Sequence, residues 1–257
     1  MGIVRNLKEY MARPYLKGMR EQLRRLLEGK AGALDTQGFI EGTDKASLLI
    51  AGGGKKLCVT HDYLRHYEFL FGSFRSDKFS LIELGCFDGS SLRMWEKYFP
   101  HAEIFGVDLD EGARQHEKGR VDIVIGDATS QETFDTLKAK TGGAFIILDD
   151  ASHAWGDQRR SFELFWEILR PGGFYVVEDL ECGTLGAYPA YPPKVLDAQP
   201  FSEYIHDRSK ILRWASDCQP EVNTYHFDQL PERVQKIERE MDMCIFIPGA
   251  VIVRKKA

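Results

Sequence analysis

The sequence has no apolar run approaching the roughly 20 residues that cross a bilayer, so no membrane partner is expected. It also lacks a basic surplus. Its 34 Lys and Arg stand against 39 Asp and Glu, a formal charge of −5, whereas a nucleic-acid binder usually carries a strong positive excess. No C-x-x-C pair occurs. The five cysteines, Cys58, Cys86, Cys182, Cys218 and Cys244, are scattered and odd in number. Neither a zinc site nor a disulfide framework is expected from them, and a reducing cytoplasm is the expected location. Residues 1–30 hold no compact apolar stretch ahead of a small-residue cleavage site, so no secretory signal is read. There is no internal repeat and no low-complexity tract. What is present is 257 residues with 43% hydrophobic and 28% charged side chains. That is the composition of a soluble globular chain, long enough for one large domain or one domain with a small cap.

Within residues 1–30, Leu16, Met19, Leu23, Leu26 and Leu27 recur at spacings of three and four. This predicts a helix with an apolar stripe, packed on its own domain or on a second subunit, so a homo-oligomer is expected; a membrane-surface or partner helix is the alternative. Residues 31–59 read as a Gly-rich connector, and 62–72 as an aromatic-rich helix ending at Gly72. The first 72 residues are thus expected to form an N-terminal helical cap or oligomerisation segment, with the main domain over 73–257. In that domain short apolar runs alternate with helical stretches. Strands are predicted at Phe79–Leu84, Glu103–Asp108, Val121–Ile125, Ala144–Leu148 and Phe174–Val177. Helices are predicted at Ser90–Tyr98, Gln131–Lys140 and Asp157–Leu169. Arg170-Pro171-Gly172-Gly173 reads as a turn between helix and strand, and Met243–Ile247 with Ala250–Val253 as a hairpin around Pro248-Gly249. The expected class is α/β: a Rossmann-like, mostly parallel sheet with helices on both faces, ending in an antiparallel strand. Residues 181–220 fit no regular period, apart from a helix such as Phe201–Ala215. A stretch of that length between sheet elements is often functional.

Five motifs carry chemistry. Glu83-Leu84-Gly85-Cys86-Phe87-Asp88-Gly89 lies between a strand and a helix, where glycines let backbone approach a ligand and the helix start supplies free N–H groups. Its G-x-x-x-G spacing differs from the G-x-G-x-x-G of nicotinamide and flavin proteins, and Glu83 suits a cofactor bearing an ammonium group. A glycine turn needed only for packing is the alternative. Asp108, about 20 residues beyond Gly85, stands where a carboxylate binds ribose hydroxyls, or where it caps a helix. Gly126-Asp127-Ala128 follows the third strand. Asp127 suits an adenine amino group, or the start of the helix near Ser130. Asp149-Asp150-Ala151-Ser152-His153 and Val177-Glu178-Asp179 end the fourth and fifth strands, so their acidic groups share one crevice. Four bare carboxylates there would repel one another. A hard divalent cation such as Mg²⁺ would relieve this. His153 is close enough to act as general base, or is a structural histidine.

Glu83–Gly89, Asp108 and Asp127 resemble the S-adenosylmethionine signature of class I methyltransferases. More narrowly, Asp149-Asp150-Ala151-Ser152-His153, Arg170-Pro171-Gly172-Gly173 and Val177-Glu178-Asp179-Leu180 resemble the macrocin and mycinamicin type of sugar O-methyltransferases. Glu41-Gly42-Thr43-Asp44-Lys45, His61 and Tyr63 are similar to that family's opening segment. The resemblance implies Mg²⁺-dependent methyl transfer from S-adenosylmethionine to a hydroxyl of a sugar or a glycosylated natural product, as in antibiotic biosynthesis. It implies that Asp150, Glu178 and Asp179 hold the metal and that His153 is the general base. Glu83, Gly85, Gly89, Ser90, Asp108, Asp127 and Ala128 would line the cofactor site, with Asp150 touching both metal and cofactor surroundings. The sequence departs from the family at Ala151, often glycine there, and at Glu181-Cys182-Gly183-Thr184, where an aromatic-containing run is usual. The alternatives are N-methylation of an amino sugar, a protein like the hydroxylases of cephamycin biosynthesis, and a non-catalytic cofactor-binding protein.

Overall fold

A computed structural model describes residues 63–183, 199–210 and 229–257. The expected N-terminal helix, the Gly-rich connector and most of 181–220 lie outside the described residues. Seven strands form one sheet: β1 (Ser80–Leu84), β2 (Glu103–Asp108), β3 (Val121–Ile125), β4 (Ala144–Asp149), β5 (Leu169–Val177), β6 (Met241–Ile247) and β7 (Ala250–Lys255). The spatial order is β3-β2-β1-β4-β5-β7-β6. Strands β1 to β5 are parallel, β7 runs antiparallel to β5, and β6 antiparallel to β7. The Rossmann-like, mostly parallel sheet with an antiparallel C-terminal end is therefore what the chain forms.

The helices are α1 (Leu64–Phe71), α2 (Ser90–Tyr98), α3 (Gln131–Thr141), α4 (Trp155–Phe165), α5 (Phe201–Lys210) and α6 (Glu232–Glu240). Alternate strand residues serve opposite faces of the sheet. Leu81, Ile104, Ile146 and Val176 meet α1 and α2, whereas Ile82, Phe105, Ile147 and Tyr175 meet α3, α4 and α5. Burial on both faces explains why β4 (Ala144–Asp149) reads as apolar up to its last residue. None of the described helices is long and apolar enough to cross a membrane.

Helix α1, which the sequence grouped with the N-terminal segment, packs into the core of this sheet. Tyr67 and Phe71 stack at 5.4 Å, and Phe71 meets Phe174 of β5 edge-on at 5.2 Å. Pairs of this kind contribute about 0.5–1.5 kcal/mol beyond their buried area. Helix α4 starts two residues earlier and stops four earlier than expected, because Leu169 already pairs with Ala144 in the sheet. The turn at Arg170–Gly173 is thus an irregularity inside β5, between the pairs Ala144↔Leu169 and Ile146↔Phe174. Gly172 takes φ +76° there, which favours glycine.

Candidate active site

The register brings the carboxyl ends of β1 to β5 to one edge, with Leu84 opposite both Val107 and Asp149, and Asp149 opposite Val177. Backbone hydrogen bonds continue past the strands: Gly85 N–H donates to Val107 at 2.8 Å, Asp150 N–H to Leu84 at 2.9 Å and Glu178 N–H to Asp149 at 3.0 Å. The five motifs therefore leave the sheet side by side. Gly85 has φ +82°, and a Cβ on it would lie 2.3 Å from the backbone oxygen of Asp150. Glycine is required there for the first and fourth strand-end loops to touch.

A cavity of about 340 Å³ opens beside this contact, between the glycine loop and the ends of β2, β3 and β4. Of the residues expected to bind a cofactor, Gly85, Asp108, Asp127, Ala128 and Asp150 line it, while Glu83, Gly89 and Ser90 do not. Glu83 is fully buried in β1. Gly89 starts α2 at φ +69°, against the ring of His116. The Ser90 hydroxyl accepts from Arg93 Nη2 at 3.1 Å.

The carboxylate of Asp108 clamps the loop. Its Oδ2 accepts from the backbone N–H of Cys86 (3.2 Å) and Phe87 (3.0 Å), and Oδ1 from that of Asp110 (3.0 Å). Asp127 does not cap α3; Ser130 does. Asp127 Oδ1 instead accepts from the backbone N–H and hydroxyl of Thr129, at 2.7 and 2.8 Å. Burial first, then Asp108 and Glu83, push the Cys86 thiol up to about 12, which disfavours the nucleophilic thiolate.

The acidic motifs divide by depth. Asp149 is buried beneath the cavity, where the Ser161 hydroxyl donates to Oδ2 and the Ala151 N–H to Oδ1 at 3.4 Å. Burial pushes its carboxyl up to about 7, against the lowering effect of those two bonds. Glu178 is also buried and accepts from the Tyr67 hydroxyl at 2.6 Å. Tyr63, one turn earlier, donates to Asp179 Oδ1 at 3.1 Å. Burial, then the charge of Glu178, raises the Tyr67 phenol well above its ordinary value, with Asp150 adding to the effect, so Tyr67 stays a donor. Glu178 and Asp179 thus each meet a tyrosine, at the start of α1 and in its first turn. His153 Nε2 lies 3.9 Å from Asp179 Oδ2. One donor atom each from His153, Asp179 and Cys182 all lie within 4.8 Å of one another.

Tyr67 and Leu109 were not singled out from the sequence, and Tyr63 and Phe87 appeared there only as members of motifs, without a role of their own. Tyr63 and Tyr67 reach their carboxylates from more than a hundred residues away, which no local pattern reveals. Phe87 and Leu109 line the cavity while 85% and 75% exposed, and exposed apolar side chains at a cavity are suited to a ligand's apolar surface. The usable signal for these two was adjacency: one lies inside the glycine loop and the other directly follows Asp108.

No family model matches the chain. It is 34% identical over 223 residues to the 8-demethyl-8-α-L-rhamnosyl tetracenomycin-C 2′-O-methyltransferase of Streptomyces olivaceus, across 82% of this chain and 54% of that protein. It is 32% identical over 132 residues to the mycinamicin VI 2″-O-methyltransferase of Micromonospora griseorubida, across 49% of this chain and 33% of that one. The chain therefore spans a third to about half the length of these curated relatives. A crystal structure of a methyltransferase of the mycinamycin biosynthetic pathway, in complex with Mg and SAH, superposes with a TM-score of 0.67 at 22% identity, covering 85% of this chain and 54% of that one. The fold is common to both.

Proposed function

We propose that this chain, a class I S-adenosylmethionine-dependent methyltransferase of the macrocin and mycinamicin type by likeness of sequence and fold, methylates a hydroxyl of a sugar or a glycosylated small molecule. The observation that carries the reading is the approach of His153 to Asp179, at 3.9 Å, on the strand-end edge where Asp150 lines the cavity that Gly85 and Asp108 border. The cavity's volume falls within the roughly 300–1,000 Å³ of small-molecule sites. Asp108 and Asp127 suit the ribose and adenine of the methyl donor, and Phe87 and Leu109 its flat apolar faces. Glu83, Gly89 and Ser90 would act from behind, by fixing the loop and the start of α2.

The donor set fits a hard divalent cation. Glu178 and Asp179 accept hydrogen bonds from Tyr67 and Tyr63, Asp150 ends the neighbouring strand, and oxygen ligands of that kind suit Mg²⁺. Asp150, Glu178 and Asp179 are the residues proposed to hold it. Bound there, Mg²⁺ would neutralise the carboxylates and make an acceptor hydroxyl more acidic. His153, whose Nε2 lies 3.9 Å from the Asp179 carboxylate, takes up the hydroxyl proton. The loops contribute alignment of the acceptor oxygen on the donor methyl group.

Incubation with S-adenosylmethionine, Mg²⁺ and a panel of glycosides, read by mass spectrometry, tests this reading. One added methyl group with S-adenosylhomocysteine as co-product is expected. Chelation should abolish turnover, and His153→Ala should lower kcat about 10²–10⁴-fold with the fold intact. Full activity in chelator would remove the metal role, undiminished activity of His153→Ala the base role, and donor binding without turnover on any acceptor the enzymatic reading itself.

A further inference from the structure

The three donors that lie within 4.8 Å of one another are not three oxygens but a nitrogen, an oxygen and a sulfur, from His153, Asp179 and Cys182. Among the described residues this is the one such group. Local structure builds it. Leu180–Gly183 form a 3₁₀ turn in which the Cys182 N–H donates to the Asp179 oxygen at 3.0 Å. Asp179 immediately precedes the turn and Cys182 lies within it, which brings their side chains together. His153 arrives from the neighbouring strand end. Both His153 and Asp179 have left-handed backbone, φ +56° and +55°, a conformation that histidine and aspartate adopt more readily than most residues. His153 and Cys182 are largely buried and Asp179 partly so.

Donor chemistry and spacing select the ion. Thiolate and imidazole suit Zn²⁺ and its neighbours in the first transition row, whereas Mg²⁺ takes oxygen. A tetrahedral zinc with bonds of about 2.0–2.3 Å separates its ligand atoms by about 3.3–3.8 Å. Adjacent ligands of an octahedral Mg²⁺, bonded at about 2.1 Å, lie only about 3 Å apart. The observed 3.9 Å between His153 Nε2 and Asp179 Oδ2 is nearer the tetrahedral than the octahedral spacing. Three protein ligands also leave the fourth position to water, as in open zinc sites.

We propose that His153, Asp179 and Cys182 form a binding site for a thiophilic divalent cation, Zn²⁺ or Co²⁺, distinct in donor chemistry from the Asp150–Glu178–Asp179 set and sharing only Asp179 with it. The Cys182 thiol gives up its proton to the solvent on binding. Occupation also ties up His153, so under the proposed methyl-transfer reading Zn²⁺ inhibits where Mg²⁺ activates.

Binding is read without methyl donor or acceptor, so its outcome is independent of that reading. Co²⁺ titrated into the full chain should produce the near-ultraviolet charge-transfer absorption of a cobalt–thiolate bond, saturating at one equivalent. Cys182→Ser should abolish the absorption, and His153→Ala should weaken Co²⁺ binding more than tenfold. Alkylation of the unsubstituted protein with iodoacetamide, followed by peptide mass spectrometry, removes dependence on the variants' folding: Zn²⁺ should slow modification of Cys182 at least tenfold and Mg²⁺ should not. No charge-transfer band in the unsubstituted protein, a band that survives in folded Cys182→Ser, or equal alkylation of Cys182 with and without Zn²⁺ would each overturn the proposal.

Discussion

Replacing Asp149 by Asn should flatten the pH dependence of folding stability. In the folded chain burial pushes the Asp149 carboxyl from 3.8 up to about 7. The folded state therefore holds this proton more tightly than the unfolded state does. The stabilisation is complete below about pH 4, declines as pH rises, and is gone above about pH 7. Each unit of difference is worth about 1.4 kcal/mol, so the whole interval amounts to about 4 kcal/mol, of which about 3 kcal/mol is lost between pH 5 and 8. The hydrogen bonds are compatible with a neutral side chain. Ser161 Oγ lies within bonding distance of the backbone oxygens of Asp157 (2.9 Å) and Gln158 (3.1 Å), so it can donate to one of them while accepting from a protonated Asp149. Asp149→Asn is neutral at every pH and lacks the decline. Urea denaturation of both proteins at pH 5, 6, 7 and 8 measures the effect, because titration of all other groups cancels in the difference. The stability of Asp149→Asn relative to the unsubstituted chain should rise by about 3 kcal/mol across that range. A difference that stays constant with pH would refute the claim that Asp149 is buried and protonated near neutrality.

Two further substitutions test the site's construction. Gly85→Ala and Gly142→Ala both force left-handed backbone on alanine, at φ +82° and +61°, but a Cβ at Gly142 meets nothing within 4 Å while one at Gly85 strikes the Asp150 backbone. Denaturant unfolding should show about 1–2 kcal/mol lost at Gly142 and clearly more at Gly85, with methyl-donor binding by calorimetry lost only for Gly85→Ala; equal losses would contradict the close approach. Tyr67→Phe removes a donor from the buried Glu178 carboxylate and should cost about 1.5–3 kcal/mol. The same change in a Glu178→Gln background should cost less, and fully additive losses in the double-mutant cycle would show that the two groups are not coupled.

The strands were legible because a sheet buried on both faces leaves its mark as short, nearly continuous apolar runs. Ile104–Val107 and Ile146–Leu148 had no competing helical reading. The glycine loop was legible because Gly85 and Gly89 both occupy left-handed backbone that other residues avoid. The end of α4 was misplaced because Trp166 to Leu169 continue its apolar pattern while their backbone has already turned toward Ala144. The backbone partners of Asp108 were not legible for a different reason: three backbone N–H groups bond its oxygens, and two of them reach it only once β1 and β2 lie side by side.

The same distinction explains what the sequence says about metals. Reading cysteines by their mutual spacing tests for sites whose ligands come from one short segment, and by that test the scattered cysteines suggested none. Here the spacing that matters is between Asp179 and Cys182, one turn apart, and their third partner enters from the loop after β4. Parallel strands make such joins routine, because every strand end delivers its loop to the same edge. Among the described residues, Phe87, His153 and Asp179 are the non-glycine residues with left-handed backbone, and all three follow carboxyl ends, of β1, β4 and β5. Conformations of that kind cost on the order of 1–3 kcal/mol each and persist where the surroundings hold them. Among the described residues this local strain falls along the edge where the motifs meet, directing Phe87 to the cavity and His153 and Asp179 toward each other.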